Sequence, residues 1–431
     1  MAPAPPPHLL LVAATTGYQA RRFREAAAAM GLRLTLATDR CHQLEDPWGD
    51  QAIPVRFDDP KAALEALRPR APFQGIVACG DRAALLAAQL AEALRLPFHS
   101  SLAAGICNDK FAFKQALAAD GLPAPWFRRV KAECEALALA RAIAYPCVLK
   151  PLILSASRGV IRADNPDEFT AAFARIRKLL ASPEIQQWQN PNARWIQIEG
   201  YIAGREYALE GWMAAGVLQR FALFDKPDPL EGPYFEESLY VAPSRLETDQ
   251  RALIWDMVEA AARAAGLGPG PIHAEIRLDD STQASAGHPT AYVLEIAARS
   301  IGGLCAQALR FRRPGQKELI ALEELLIRGA LGQPVGAWER EPAAAGVMMI
   351  PIPRSGVLEE VSGVEAAAAV PSIESVEITA KPGQPLAALP EGASYLGFIF
   401  ARAKEPAAVE AALRAAHARL QVHLREALPV V

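Results

Sequence analysis

The sequence of 431 residues has no C-x-x-C pair: its six cysteines, at positions 41, 79, 107, 134, 147 and 305, are scattered. Scattered thiols argue against a structural zinc site and against a disulfide framework, and for a reducing, cytosolic setting. No apolar run approaches the length of a membrane span. The formal net charge is only -3, so nothing in the charge balance draws the chain toward nucleic acid or an anionic membrane. The turn after the first apolar run lacks G-x-G-x-x-G, and no dinucleotide is inferred there. The opening Met1–Pro7 has no basic flank and is broken by proline; it reads as a disordered tail rather than a signal peptide. No internal repeat is found.

What is present is the ordinary composition of a soluble globular protein, 51% hydrophobic and 22% charged, on a chain long enough for two to four domains. Residues 8–100 alternate strand and helix patterns. The continuous apolar run Leu9–Ala14 suits a strand covered on both faces, and a helix from about Gln19 to Met30 follows. Arg33–Thr38 and Gly75–Cys79 read as further strands of a small parallel α/β domain. Loops at the carboxyl ends of such strands often hold ligands, which makes Thr15, Thr16 and Asp81 candidates, although capping and turn formation explain them as well.

From Ser101 the texture changes. Asn108-Asp109-Lys110 opens a helix that runs to Asp120. Asp109 is ordinary capping chemistry, whereas Lys110 puts a cation at the positive end of the helix, which a nearby anion would resolve. A helix is expected over Ala132–Ala144, then the strand Cys147–Pro151 with one cleft-facing cation, Lys150. Ser155 to Gly159, with Ser157 and Arg158, forms a small-residue flap whose backbone N–H groups can wrap phosphate oxygens, although its spacing is not that of a P-loop. The strand Trp195–Ile202 bends at Ala203-Gly204. An adenine needs an apolar slot and hydrogen bonds at its edge, which Glu199, Tyr201 and Ile202 can supply, while Glu206 can accept from ribose hydroxyls. The Pro- and charge-rich segment from Phe224 to Glu237, which holds Lys226, reads as a lid or site loop. Beyond it, Leu304–Phe311 and Leu319–Leu331 read as helices. Val347–Ile352, Gly356–Val361, Val376–Ala380 and Leu396–Ala401 read as strands, and Pro406 to about Leu424 as a last helix.

The stretch that organises the chain is Ile272–Gly303. Ile272–Leu278 alternates apolar and polar side chains, Asp279–Pro289 is a polar turn, and Ala291–Ile296 is a second strand. In that hairpin Glu275 and Glu295 fall side by side. Adjacent carboxylates repel, and a divalent metal with oxygen ligands, such as Mg²⁺, relieves the repulsion. Arg299 follows, a bidentate gripper of carboxylate or phosphate, and then Gly302-Gly303, whose backbone can approach a ligand closely.

Taken in order, these pieces resemble the ATP-grasp superfamily of carboxylate–amine ligases. Asn108-Asp109-Lys110 and Leu149-Lys150-Pro151 look like its nucleotide-binding lysine segments, and Ser155–Val160 like its phosphate loop. Glu199–Glu206 looks like the adenine hinge with the ribose acid. His273-Ala274-Glu275 and Glu295–Arg299 look like the metal strands. Thr15–Tyr18, Glu295–Gly303 and the C-terminal region are similar to the L-amino-acid ligases of that superfamily.

The resemblance implies a fold of mixed α/β and α+β type. Its parts would be an N-terminal Rossmann-like domain over 8–100, a small ATP-grasp lobe over 101–193, a large lobe over 194–340 and a C-terminal α+β domain over 346–431. It implies ATP and Mg²⁺ or Mn²⁺, two ions in all. Lys110, Lys150, Ser155, Ser157, Arg158, Gly159, Glu199, Tyr201, Ile202, Glu206 and Lys226 would hold the nucleotide, and Glu275 and Glu295 the metal. Arg299, Gly302 and Gly303 would act on the reacting groups. A small carboxylate and a small amine would be joined through an acylphosphate in a cytoplasmic homodimer, with no nucleic acid or membrane partner. A carboxylase, a purine-pathway ligase and a catalytically silent nucleotide-binding regulator remain as alternatives. The chain departs from the superfamily pattern at Ala297, where many of its enzymes carry Asn, which leaves the site one side-chain oxygen short.

Overall fold

The structure, a computed structural model, describes residues 5–14, 18–39, 52–279 and 289–426. Thr15 and Thr16 lie outside the described residues, as does most of the expected tail. The first apolar run forms β1 (His8–Ala13), which pairs in parallel with β2 (Arg33–Thr38) and β4 (Gly75–Cys79), while β3 (Ala52–Pro54) adds to β2. Successive residues of β1 feed opposite cores: Leu10 and Val12 pack with the helices α2 (Pro60–Leu67) and α3 (Asp81–Leu94), Leu9 and Leu11 with α1 (Tyr18–Ala29). That two-sided burial explains the unbroken apolar run.

Helix α4 (Ser101–Asn108), capped by the Ser100 hydroxyl, is an element that the sequence reading missed. It ends at Asp109, whose carboxylate accepts from the Phe111 and Ala112 N–H groups and starts α5 (Lys110–Ala119). A four-stranded antiparallel sheet follows, in the order β5 (Phe127–Lys131), β8 (Trp195–Gly200), β6 (Cys147–Pro151), β7 (Ile161–Ala163). The helix expected over Ala132–Ala144 is confined to Ala136–Ala140, because the Ala132 N–H is taken by the Arg194 carbonyl at the sheet edge and Cys134 turns back on Lys131.

The large sheet has eight strands. Its first part runs β13 (Thr290–Ala297), β12 (Gly270–Asp279), β9 (Arg205–Ala214), β10 (Val217–Asp225), β11 (Leu239–Ala242). It then continues into the C-terminal strands Ala344–Ile350, Gly397–Ala403 and Ile373–Ile378. Gly204, in the bend before β9, has φ +96, and a Cβ there would sit 2.1 Å from the Leu278 carbonyl oxygen, so only glycine lets the bend close on β12. Two helix expectations are corrected. Leu304–Phe311 holds only a 3-10 turn at Cys305–Ala308, because Arg310–Arg312 pairs as a strand with Glu339–Arg340 and Ile320–Ala321. The last helix stops at His417, and Gln421–Arg425 pairs as a strand with Gly356–Ser362. No described helix is long and apolar enough to cross a membrane.

His99 joins the N-terminal region to β12. Its Nε2 lies 2.8 Å from the Pro271 carbonyl and the ring is 1% exposed. Burial pushes its pKa down to about 4, against the pull of the Pro271 and Gly268 carbonyls. Between about pH 6.5 and that value the unfolded chain binds a proton that the folded chain refuses, so stability rises with pH across the window and is lost as pH falls. His99→Gln is expected to flatten this: from pH 7 to pH 4 the melting temperature of the wild type should drop further than that of the variant.

Candidate active site

The two antiparallel sheets face each other across a cleft. One wall carries Val148 and Lys150 from β6, Glu199 and Gly200 from β8, and the loop Ser155–Ser157. The other carries Glu275 and Arg277 from β12 and Leu294 and Glu295 from β13. Lys110, Tyr201, Ile202, Glu206, Phe235 and Glu237 complete it.

The hairpin register places Glu275 directly opposite Glu295, on one face of the sheet, the side-by-side placement expected of the hairpin. Lys110 Nζ lies 3.7 Å from Glu295 and donates to the Leu154 carbonyl at 2.7 Å, so the cation at the helix start does meet an anion. Lys150 Nζ is 2.6 Å from the buried Glu199 carboxylate. Burial opposes the charged form of both partners, but their mutual attraction wins, raising the Lys150 pKa and lowering that of Glu199. In the flap, Ala156 and Ser157 both sit at φ 55, a conformation that non-glycine residues rarely hold, so the loop backbone is strained where it meets the cleft.

Three expected nucleotide residues sit differently. Gly159 is not on the cleft wall: its N–H bonds the Pro390 carbonyl, and a Cβ there would run into Pro151 and Leu179. The Arg158 guanidinium is held by both oxygens of Glu184 and by the Glu391 carbonyl, which turns it from the flap. Lys226 lies beneath the cleft, 3% exposed, and not in its wall. It donates to Glu206 at 2.7 Å and to Glu237 at 2.5 Å, and Glu275 lies at 3.6 Å.

Glu237 is a member of the site that sequence reasoning missed; its only signal was the charged, Pro-rich loop that holds it. Oxygens of Glu206, Glu237 and Glu275 lie within 4.8 Å of one another, a set of hard ligands suited to a divalent cation. Burial and the charge of Glu275 push the Glu237 carboxyl up to about 7. Glu275 is held well below the usual carboxylate range: burial would raise it, but Lys226 and His273 overcome that. Arg277 was also missed. Buried at 3% exposure, it donates to Glu206 and to the Ile202 carbonyl, fixing the hinge against β12.

A wider cavity adjoins the cleft, sharing Lys110, Glu237, Glu275 and Glu295 with it. Asp81, Arg299, Gly302, Gly303, His273 and Tyr395 line it. Arg299 Nε donates to Asp81 at 2.7 Å and another of its N–H groups to the Ser300 carbonyl, so part of the guanidinium is occupied from within the chain. A Cβ on Gly302 would meet open space, whereas Gly303, at φ +60, would drive one to 2.9 Å from Phe398. Glu210 ties this loop to β12, accepting from the Ile301 N–H at 3.1 Å and lying 2.5 Å from His273 Nδ1.

A family model described as the ATP-grasp domain matches residues 143–308. The chain carries an ATP-grasp domain. Flanking it, the ATP-grasp N-terminal domain matches 24–98, and the L-amino acid ligase C-terminal domain 2 matches 348–425. The crystal structure of an L-amino acid ligase from Bacillus licheniformis is similar over 98% of this chain and 100% of that one, with a TM-score of 0.77 and 25% identity. The fold is therefore the ATP-grasp fold. An uncharacterized protein, y4rH, from Sinorhizobium fredii is 26% identical over 68% of this chain and 56% of its own length. An alanine–anticapsin ligase from Bacillus subtilis is 27% identical over 46% of this chain and 43% of its own. The chain thus spans about half the length of the curated relatives it matches.

Proposed function

We propose that the protein is an ATP-dependent carboxylate–amine ligase that joins two small molecules of the amino-acid class through an acylphosphate. The observation that carries this reading is the Glu275–Glu295 pair, set where the cleft between the sheets meets the wider cavity, with Lys110 and Lys150 on the same cleft walls.

Hydroxide is a poor leaving group, so a carboxylate must first be activated. A carboxylate oxygen takes the γ-phosphoryl group of ATP and ADP is released; the amine nitrogen then attacks the carbonyl, the C–O bond to phosphate breaks, and the nitrogen loses a proton. Lys110 and Lys150 offset the phosphate charge, and the Ser155–Ser157 flap covers the phosphates and keeps out water that would hydrolyse the acylphosphate. Glu199, Tyr201 and Ile202 edge the adenine slot. Both oxygens of Glu206 accept from Lys226 and Arg277, and each keeps a lone pair for a ribose hydroxyl. Arg299 lines the wider cavity and grips a carboxylate there with the donors that Asp81 and Ser300 leave over, while the Gly302 and Gly303 backbone serves the reacting carbonyl. Glu275, whose oxygens cluster with those of Glu206 and Glu237, and Glu295, opposite it on the next strand, would together offer Mg²⁺ the hard oxygen ligands it takes. When bound there, Mg²⁺ neutralises the phosphates being transferred.

The test is release of phosphate from ATP and Mg²⁺ with a panel of L-amino acids, singly and in pairs, with products identified by mass. The expected result is phosphate release that depends on amino acids, with a product one water lighter than the summed substrates. Release that depends on bicarbonate instead marks a carboxylase, and nucleotide binding with no turnover marks a silent regulator; either overturns the proposal.

A further inference from the structure

Lys114 has no part in the chemistry above, yet it is the most deeply buried lysine described, 1% exposed, one helical turn after Lys110 on α5. Burying an ammonium is costly unless it answers something specific. It donates to the Val293 carbonyl at 2.9 Å. Val293 adjoins an irregularity in β13. Val293 opposes Ile276, whereas Glu295 opposes Glu275, so Leu294 is one residue too many, a β-bulge. In an unbroken ladder Leu294 would face Glu275 and Glu295 would face Ala274. Because side chains alternate, Glu295 would then point to the opposite face of the sheet from Glu275. The bulge is what puts the two carboxylates together, and a bulge disrupts the local ladder of backbone hydrogen bonds.

We infer that Lys114 is a positioning residue: its ammonium holds the Val293 carbonyl at the bulge that turns Glu295 onto the face of Glu275, and it ties the helix bearing Lys110 to the strand bearing Glu295. Residues i and i+4 share a helix face, so Lys110 and Lys114 reach β13 from one side, one at the carboxylate and the other at the backbone two residues before it. The metal half of this inference rests on the ligase reading; the bulge half does not.

The experiment compares wild type with Lys114→Met. Binding of AMP-PNP is measured calorimetrically over a range of Mg²⁺ concentrations, and amide hydrogen exchange is followed in the ligand-free proteins. The variant should raise the half-saturating Mg²⁺ concentration about tenfold or more, the usual effect of removing a group that orients a metal ligand, while saturating Mg²⁺ restores nucleotide affinity. Exchange across residues 290–297 should speed up. A folded variant in which either readout stays at the wild-type value overturns the inference. A purely structural lysine would lower the melting temperature and leave the Mg²⁺ requirement where it was. Should the wild type fail to bind AMP-PNP, the nucleotide reading falls on its own, and exchange at 290–297 decides the bulge: faster exchange supports it and unchanged exchange overturns it. If Lys114→Met does not fold, Lys114→Gln is read by the same two measurements.

Discussion

Glu275→Gln is expected to lower amide synthesis by about 10²–10³-fold, the usual loss when one preorganised electrostatic contact is removed from a site. The substitution keeps the shape of the side chain and removes its charge. Of the carboxylates around the cleft, Glu275 stands at the junction of both groupings: it faces Glu295 across the hairpin, and it shares Lys226 with Glu206 and Glu237. Its pKa is held low against burial by Lys226 and His273, so it carries full charge at neutral pH. The neighbouring Glu237 carboxyl, pushed up to about 7 by burial and by Glu275, should titrate lower once that charge is gone. Initial rates at saturating ATP and Mg²⁺, with near-ultraviolet circular dichroism to confirm the fold, check the first point. Glu295→Gln should lose activity to a similar degree. Wild-type turnover in either variant would remove that glutamate from the site.

The second large effect concerns stability. Lys226→Met removes the cation common to Glu206, Glu237 and Glu275 and leaves buried carboxylates without it. Breaking a buried ion pair by deleting one partner costs about 3–5 kcal/mol. The sign of the pH dependence follows. Without Lys226 the folded carboxylates bind protons more readily than they do in the unfolded chain, so the stability of the variant should rise as pH falls from 8 toward 5. The wild type should show a smaller gain, from Glu237 with its carboxyl pushed up to about 7, since Lys226 stays charged throughout, its pKa raised far above the ordinary value by Glu206, Glu237 and Glu275 against burial, and holds Glu275 ionised. Added Mg²⁺ should recover part of the loss if it binds among the same oxygens. Melting temperatures at pH 5 and pH 8, with and without Mg²⁺, give all three results. A variant as stable as the wild type at pH 8 would mean that the cluster is not ionised as described.

The pieces of the site that were legible in the sequence are those set by local pattern. The alternation in Ile272–Leu278 and the apolar run Ala291–Ile296 were enough to mark the hairpin that carries Glu275 and Glu295, and the unbroken run at Leu9–Ala14 was enough to mark β1 as a strand covered on both faces. What the pattern could not carry was set by distant partners. Arg158 looked like a phosphate ligand until Glu184 and the Glu391 carbonyl, 233 residues away, claimed its guanidinium. Lys226 looked like a direct nucleotide contact, but three acids from separate elements surround it. The apolar stretch Leu304–Phe311 carries helix-forming residues, and edge pairing with Glu339–Arg340 overrides them. The pairing of Glu275 with Glu295 also needs the bulge at Leu294, which a two-residue period cannot reveal.

The central claim is that Glu275 and Glu295 share one divalent cation beside the nucleotide. Crystals grown with AMP-PNP and Mn²⁺, with data collected at the manganese edge, test it most directly. The account predicts an anomalous peak within coordination distance of an oxygen of each glutamate. A nucleotide-filled cleft with the peak elsewhere, or with no peak, would contradict it.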